Sequence, residues 1–255
     1  MATLAGSVRP LSVCVATHNG SKYVLAQLAS IVDQLDAADE IVVVDDASTD
    51  QTPELIAALN EPRVRLIRLT TNVGYVAAFE HALGAARYDL ILLADQDDEW
   101  VPGRVQLMRT ALAEHAVVAG NLVTLNGPDA IRGPYGQRSW RLRSTDSPRK
   151  WRNTVGILVG NRPYYGSAMG LNRQALDIAL PFPGIRESHD LWIALCGNQL
   201  GSIRHLEENV TARRYHDSNQ TPERPRVLPA VLRSRLMLLR LIRVARSRIA
   251  AGKRR

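Results

Sequence analysis

The chain has only two cysteines, no long apolar run and no export signal, and each absence excludes a class of protein. Cys14 and Cys196 are too few for a disulfide framework or a four-ligand zinc site, which predicts two buried thiols in a reducing compartment. No stretch reaches the roughly 20 apolar residues of a spanning helix, and the first ten residues lack an apolar core. We therefore expect a cytoplasmic protein.

Two glycine-rich nucleotide-binding motifs are also missing. The loop Thr17-His18-Asn19-Gly20-Ser21 lacks the Gly-x-Gly-x-x-Gly of nicotinamide-binding Rossmann domains. No Gly-x-x-x-x-Gly-Lys-Ser/Thr occurs, so ATPases and kinases of the P-loop class are excluded. Phospho-acceptor receiver domains also collect acids at strand ends, but they are about half as long as this chain.

Charge is distributed unevenly along the chain. The net charge is +7, yet residues 224–255 contain ten arginines, one lysine and no acidic residue. Since this tail carries +11, the rest of the chain carries −4. A negatively charged partner, membrane lipid or nucleic acid, would therefore meet the tail rather than the body of the protein.

Apolar strands alternate with helices over the first half of the chain. Strands are predicted at residues 11–16, 40–44, 64–69 and 90–94, and helices at residues 23–32, 55–59 and 75–86. Thr52 and Pro53 supply an N-cap and a first-position proline for the second helix. Strands that are apolar on both faces predict a largely parallel sheet covered by helices on both sides, in one large α/β domain or two small ones.

Polar residues follow these strands at the edge where parallel sheets bind ligands. They are Thr17, Asp45, Asp46 and the run Asp95-Gln96-Asp97-Asp98. Carboxylates this close repel one another unless a cation or a proton offsets them, and oxygen ligands suit magnesium or manganese. The run predicts a divalent-metal site, with an acidic loop that only caps the next helix as the alternative.

The second half of the chain is less regular. A helix to about residue 115 and a strand at 117–125 precede residues 126–162, whose Gly, Pro, Ser and Arg content predicts a long mobile segment over the site. A strand and a helix start are predicted at 164–173, a helix at 191–200, and two short strands at 202–206 and 209–215.

The basic tail has apolar residues at helical spacing between its arginines. This pattern favours an amphipathic helix that lies on anionic lipid. Packing on a partner subunit and a solvated terminus are alternatives, whereas RNA binding has no supporting motif. The apolar positions are Leu228, Val231, Leu232, Leu236, Leu239 and Ile242.

Four motifs stand at or near the ends of the predicted strands: Ala16-Thr17-His18-Asn19-Gly20, Val44-Asp45-Asp46-Ala47-Ser48-Thr49-Asp50, Asn72-Val73-Gly74 and Ala94-Asp95-Gln96-Asp97-Asp98-Glu99-Trp100. Together they resemble the family 2 glycosyltransferases, which have the GT-A nucleotide-diphospho-sugar transferase fold. The resemblance covers about residues 11–220. The last motif, with His189-Asp190-Leu191-Trp192 and Arg214-Tyr215-His216-Asp217-Ser218-Asn219, is similar to a rhamnosyltransferase-like branch of bacterial cell-envelope enzymes.

The resemblance implies a domain layout and a donor site. A GT-A domain would span residues 1–222, with a donor half at about 11–125, a mobile loop at about 126–163 and an acceptor half at about 164–222, followed by a basic amphipathic tail at 223–255. A manganese or magnesium ion would be held by Asp97, Asp95 and His216, while Asp98 ligates or orients. The nucleotide-sugar donor would be bound by Thr17, Asn19, Asp45, Asp46, Asn72, Gly74, Asp95, Gly166 and Ser167.

Family members of this kind invert the anomeric centre, which requires a carboxylate to take the proton of the acceptor hydroxyl. Asp190 stands at the position of this base. The family usually has Glu-Asp before this helix, and here His189 replaces the glutamate, so His189 could orient the acceptor, share proton transfer or only cap the helix.

The resemblance implies a metal-dependent inverting transferase that moves a sugar from a nucleotide diphosphate to a hydroxyl of a cell-envelope glycan, free or lipid-linked. Rhamnose from dTDP-rhamnose is the first donor to test, and UDP-galactose or UDP-glucose is the second. The expected place is the cytoplasm or the cytoplasmic face of the inner membrane. A non-catalytic nucleotide-sugar or glycan-binding module of the same fold is the alternative.

Overall fold

The computed structural model of the chain describes residues 9–184, 188–215 and 228–252. The strands in these residues are β1 (Leu11–Thr17), β2 (Glu40–Asp45), β3 (Val64–Arg68), β4 (Leu90–Asp95), β5 (Glu99–Trp100), β6 (Val117–Leu125), β7 (Met169–Asn172) and β8 (Ile203–Arg214). The helices are α1 (Val24–Val32), α2 (Thr52–Ala58), α3 (Tyr75–Ala85), α4 (Arg104–Glu114), α5 (Lys150–Val159), α6 (Arg173–Ala179), α7 (His189–Leu200) and α8 (Leu228–Gly252).

The strands form one sheet in the order β3-β2-β1-β4-β7-β6-β8-β5. The first four pair in parallel, and β6 also pairs with β8 in parallel. Strand β7 is antiparallel to both β4 and β6, and β5 is antiparallel to β8. The predicted α/β fold with a mainly parallel sheet is therefore confirmed, with antiparallel insertions in its second half.

Alternate residues of the central strands belong to two cores, one on each face of the sheet. In β4, Ile91 and Leu93 join the core that includes Phe79 of α3, and Leu90 and Leu92 join the core that includes Leu28 of α1. Burial on both faces explains why these strands are apolar at nearly every position. The prediction that they are covered from both sides is confirmed.

Two expectations for the second half were wrong in detail. The two strands predicted at 202–206 and 209–215 form one strand, β8 (Ile203–Arg214), because irregularities in its pairing with β6 around Asn121 let the ladder continue across residues 207–208. Residues 126–162 also contain regular structure, namely a 3-10 turn at Ser144–Asp146 and α5. Asn153, Thr154 and Ile157 of α5 are buried, and Asn198 of α7 donates a hydrogen bond to the Thr154 hydroxyl at 2.7 Å.

Both cysteines are buried free thiols, as predicted, and burial raises the pKa of each. Helix α8 does form over the basic tail, but the predicted apolar positions divide between its two sides: Ile242 is buried, whereas Leu236 and Leu239 are exposed. Leu238, Leu241 and Ala245 are at most 2 % exposed, and the helix packs on α7. Among the helices in the described ranges, none combines the length and the apolar character needed to cross a membrane.

Candidate active site

The register of the parallel strands brings the predicted polar residues to one edge of the sheet. Thr17 at the end of β1 is paired with Asp45 at the end of β2, and Ala16 is paired with Asp95 at the end of β4. The loops that follow these three strands therefore meet above the carboxyl edge, where open α/β sheets bind ligands.

Asp45 and Thr17 form the buried base of the first two loops. The Asp45 carboxylate accepts hydrogen bonds from the Thr17 hydroxyl at 3.1 Å and from the backbone N–H of Ser48 at 3.0 Å. Above them, the exposed Asn19 side chain accepts a bond from the Thr49 N–H at 2.8 Å, which ties the two loops together. The predicted roles of Thr17, Asn19 and Asp45 in donor binding remain predictions, and these contacts give the three residues a structural role as well.

Asp46 fixes the third loop of the site. Its two carboxylate oxygens accept the backbone N–H groups of Val73 at 2.7 Å and Gly74 at 2.9 Å. Gly74 has a φ of 86°, a conformation that glycine adopts without strain, and the Asn72 side chain also bonds its N–H at 3.1 Å. Because Asp46 is only 2 % exposed, a nucleotide contact would come from the turn that it shapes or from a rearranged carboxylate.

Sequence reasoning gave no role to His18 or Gln96, yet both hold these loops together. The Gln96 side chain accepts the His18 N–H at 2.9 Å and donates to the His18 carbonyl at 3.1 Å. The His18 ring Nδ1 lies 2.8 Å from the carbonyl oxygen of Asp46. The one available signal was position, since Gln96 stands between the acids that follow β4.

The acids after β4 form a cluster whose charges act on one another. Burial, together with the charges of Asp98, Asp97 and Asp190, holds the pKa of Asp95 well above its usual range, while Arg213 opposes the shift. Burial and the charge of Asp97 raise the pKa of Asp98 to about 6. Burial and mutual repulsion thus both favour the protonated forms of Asp95 and Asp98.

Asp98 is the most enclosed of the three acids. Its Oδ1 accepts the backbone N–H of Arg214 at 3.1 Å, and the hydroxyl of Ser167 donates to its side chain. The Arg214 guanidinium pairs with Glu99 and bonds the Asp97 carbonyl at 3.2 Å. Asp98 therefore joins β8 and the 166–168 turn to the acidic loop.

Arg104, a residue that the sequence did not single out, lies buried behind this cluster. Its guanidinium donates to the carbonyl oxygens of Ser167 at 2.5 Å and Leu93 at 2.8 Å, and it also bonds the Thr211 hydroxyl. It stacks over Trp100 at 4.1 Å. Burial lowers the pKa of Arg104, and the carboxylates of Asp98 and Asp95 oppose that effect. It is an internal counter-charge to the acids.

The chemistry of the acids after β4 is compatible with a divalent cation. Asp95, Asp97 and Asp98 supply only oxygen atoms, and a dication would offset the repulsion that raises the pKa of Asp95 and Asp98. In the part of the chain that the structure describes, no three His, Cys, Asp or Glu side chains are already arranged as a closed metal site. An open set is expected where substrate oxygens complete the coordination. His216, the third predicted ligand, lies outside the described residues.

Asp190 and His189 open helix α7 on the other side of the cluster. The Asp190 Oδ1 accepts the backbone N–H of Leu191 at 2.7 Å and the hydroxyl of Ser188, the N-cap residue. Asp190 thus takes part in the hydrogen bonds of the helix cap, while its charge reaches Asp95. His189 is only 4 % exposed, and Gly166 lies against its ring.

Gly166 and Ser167 form the floor between the acids and α7. A Cβ on Gly166 would lie 2.6 Å from Nε2 of His189, so only glycine fits there without movement. Ser167 is 2 % exposed, and its carbonyl accepts Arg104 and the Thr211 hydroxyl at 2.8 Å. The structure therefore places the two residues between the acids and the start of α7, and their contact with the sugar remains a prediction.

Fold and site together define a nucleotide-diphospho-sugar transferase domain of the GT-A type. The glycosyl transferase family 2 domain matches residues 12–178, and the chain belongs to this family. An uncharacterized glycosyltransferase of Nostoc sp. is 27 % identical over 82 % of this chain and 66 % of its own length. The succinoglycan biosynthesis protein ExoO of Rhizobium meliloti is 36 % identical over 49 % of this chain and 34 % of its own length.

A solved structure supports the same fold. Residues 1–349 of S. aureus TarS in complex with UDP-GlcNAc superpose with a TM-score of 0.67 at 20 % identity, over 90 % of this chain and 66 % of TarS 1–349. The chain thus spans about two thirds or less of the length of these proteins.

Proposed function

We propose that the chain is a metal-dependent, inverting glycosyltransferase that moves a sugar from a nucleoside diphosphate to a hydroxyl of a cell-envelope glycan. One observation carries the proposal: the turn at residues 166–168 links the acids after β4 to the start of α7, since Ser167 bonds Asp98 and Gly166 lies against His189, the neighbour of Asp190. A metal-binding group on the leaving-group side and a base on the acceptor side are the two groups that such a transfer requires.

On the donor side, Asp95 and Asp97 would hold manganese or magnesium, with Asp98 orienting the loop through Ser167 and Arg214. When bound, the cation neutralises the charge that develops on the departing diphosphate. The nucleoside would lie across the loops that Asp45 and Asp46 brace, in contact with Thr17, Asn19, Asn72 and Gly74. Gly166 and Ser167 would form the floor under the sugar.

On the acceptor side, Asp190 takes the proton of the attacking hydroxyl. The acceptor oxygen forms a bond to the anomeric carbon while the bond from that carbon to the diphosphate oxygen breaks, and its electron pair leaves with the nucleoside diphosphate. Attack from the face opposite the leaving group inverts the anomeric centre. Burial lowers the pKa of His189, so its ring stays neutral beside Asp190. His189 would therefore orient the acceptor and would not take up its proton.

Succinoglycan biosynthesis in the name of ExoO and UDP-GlcNAc in the TarS complex support a role in polysaccharide assembly with a nucleotide-sugar donor. The rhamnosyltransferase-like motifs make dTDP-rhamnose the first donor to test, and UDP-galactose or UDP-glucose the second. A lipid-linked glycan acceptor favours a place on the cytoplasmic face of the inner membrane. Nucleic acid is not expected as a partner.

A non-catalytic nucleotide-sugar or glycan-binding module is the second candidate. It is favoured by His189, which stands where the family usually has glutamate and is buried against Phe79 with ring centroids 4.2 Å apart. Such a module would bind the donor with its metal but would release no nucleoside diphosphate in the presence of any acceptor.

A thermal-shift panel of UDP, dTDP, GDP and CDP, with and without manganese, tests the site. At a ligand concentration of about 100 Kd the stabilisation is about 2.7 kcal/mol, which raises the Tm of a chain of this size by roughly 5–10 °C. Asp97→Ala should abolish the manganese-dependent part, while Asp177→Ala, an exposed acid on α6, should not. Stabilisation without metal, or none with any nucleotide, contradicts the site assignment.

A further inference from the structure

Helices α5 and α8 lie side by side and antiparallel on α7. At one end both reach Gln199: the Lys150 ammonium donates to its carbonyl at 2.6 Å, and Nε of Arg246 donates to its side chain at 2.9 Å. At the other end, a Cβ on Gly160, just after α5, would lie 3.1 Å from the guanidinium of Arg235 in α8. The pair therefore forms one continuous outer layer.

The outward sides of both helices carry apolar residues that nothing in the described chain covers. They project opposite the buried residues of the same helices, which face α7. On α5, Trp151 is 75 % exposed, and Val155 and Val159 follow at one-turn spacing with 40 % and 43 % exposure. On α8, Leu236 is 60 % exposed and Leu239 is 44 % exposed.

Positive charge surrounds these apolar residues. Neither α5 nor α8 contains an acidic residue, and Arg152, Arg233, Arg240 and Arg243 are all exposed. Arg152 lies 3.5 Å from Asp146 but remains 61 % exposed. A tryptophan, aliphatic side chains and arginines on one helical surface are the composition of segments that lie in a membrane interface.

We infer that the outer face of the α5–α8 pair binds an anionic lipid surface. Arginines would contact the phosphate groups of the lipids, and the aliphatic side chains would enter the region between the headgroups and the acyl chains. RNA would satisfy the arginines but would gain nothing from Val155, Val159 and Leu236. Helix α8 thus contacts the membrane through the side opposite its buried residues Leu238, Leu241 and Ala245, and α5 contributes to the same surface.

The inference depends on the proposed function only in assuming a lipid-linked acceptor. The proposed surface is formed by α5 and α8, whereas the acids of the donor site lie at the end of β4 and in the loop after it. Binding to a membrane would bring the enzyme to the layer in which such an acceptor resides. Membrane affinity and nucleotide binding can therefore fail independently.

Co-flotation of the full chain with phosphatidylcholine vesicles, with and without phosphatidylglycerol, measures the interaction. We expect binding only to the anionic vesicles and its loss at high salt. R240Q/R243Q should weaken the partition coefficient by about thirtyfold, since each arginine near an anionic surface contributes about fivefold. W151S/L236S should weaken it severalfold at any salt concentration.

R68Q/R87Q is the matched control, since it removes the same charge from two arginines that are more than half exposed on the other half of the sheet. It should leave the partition coefficient within about twofold. All variants should keep the nucleotide-dependent thermal shift. The inference is overturned if the wild type ignores anionic vesicles, if R240Q/R243Q floats as well as R68Q/R87Q, or if W151S/L236S changes only a monomer–dimer equilibrium.

Discussion

The imidazole of His189 lies nearly parallel to the ring of Phe79, with ring centroids 4.2 Å apart and planes 24° from each other. Tyr75 meets the imidazole edge-on at 5.8 Å. Neither ring nitrogen has a hydrogen-bond partner among the described residues, and burial lowers the pKa of the ring despite the opposing charge of Asp190. At residue 189, a neutral aromatic ring therefore lies beside the proposed base Asp190, where the family usually has a second carboxylate.

Gly166→Ala should destabilise the protein and disturb this packing. The added Cβ would lie 2.6 Å from Nε2 of His189, and overpacking of this kind costs about 1–3 kcal/mol. His189→Ala removes the obstacle, so the double variant should lose clearly less than the sum of the two single losses in urea unfolding. Gly84→Ala is the control, because nothing lies within 4 Å of its Cβ and alanine favours the helix. Strict additivity would contradict the close contact.

Asp190→Asn should remove catalysis while leaving the fold and the donor site intact. Asparagine keeps a side-chain oxygen that accepts the Leu191 N–H but does not take up the proton of the acceptor hydroxyl. General-base catalysis contributes roughly 10²- to 10⁴-fold, so kcat should fall by that factor with an unchanged nucleotide Kd. Release of nucleoside diphosphate in the presence of acceptor measures kcat, and Asp177→Asn serves as control. A kcat equal to that of the wild type would assign the base elsewhere.

Gln96→Ala should weaken nucleotide binding. It removes both hydrogen bonds that hold the loop at His18 to the loop after β4, each worth about 0.5–1.5 kcal/mol. We therefore expect the nucleotide Kd to rise by about tenfold in calorimetry. Gln34 follows the end of α1 that is far from this loop, and its side chain donates one hydrogen bond to the Ser30 carbonyl. Gln34→Ala should therefore leave the Kd unchanged. Equal effects of the two changes would show that the loop contact does not support the nucleotide site.

His205 should make the protein sensitive to mild acid. Its ring is fully buried 2.8 Å from the Tyr164 hydroxyl, and burial lowers its pKa to about 4. The unfolded chain binds the proton near pH 6.5, so this contribution is complete above that pH and is lost as pH falls toward 4. At pH 5 the loss is about 2 kcal/mol.

His205→Asn should flatten this dependence when urea unfolding is compared at pH 7 and pH 5, even though the substitution lowers stability at both. His81→Asn changes an exposed ring and should keep the slope of the wild type. A slope that is the same in all three proteins would exclude His205 as its source.

Local pattern was sufficient for the donor half because its strands and motifs are short-range features. The strand that ends at Asp95 and the turn at Asn72, Val73 and Gly74 were both predicted, since burial on two faces and glycine-dependent turns leave direct traces in sequence. The pairing of β4 with β1 was not predicted, because the hand of parallel connections does not decide on which edge of the sheet a strand is added. The contacts of Asp46 could not be predicted from local sequence, because its partners lie 27 and 28 residues away along the chain.

The second half was harder because its contacts are long-range. Helix α5 was missed, since its buried residues Asn153 and Thr154 are polar; Asn153 is satisfied by Asp146 and Arg162, and Thr154 accepts hydrogen bonds from α7. Arg104 looked like an ordinary surface residue of α4, yet it is 1 % exposed and bonds a residue 63 positions later. A buried arginine leaves no periodic signal, because its partners are mainly backbone carbonyls.

The sequence by itself determined the family, the alternation of strands and helices and the placement of acids at strand ends, because each depends on residues that are close along the chain. Only the tertiary structure decided which of those acids act on one another, that His189 is buried and without a polar partner in the described residues, and that Ile242 of the tail is buried while Leu236 and Leu239 are exposed. These outcomes depend on which distant surfaces meet. The burial of a side chain and the charges around it are set by these tertiary contacts and not by the individual segments.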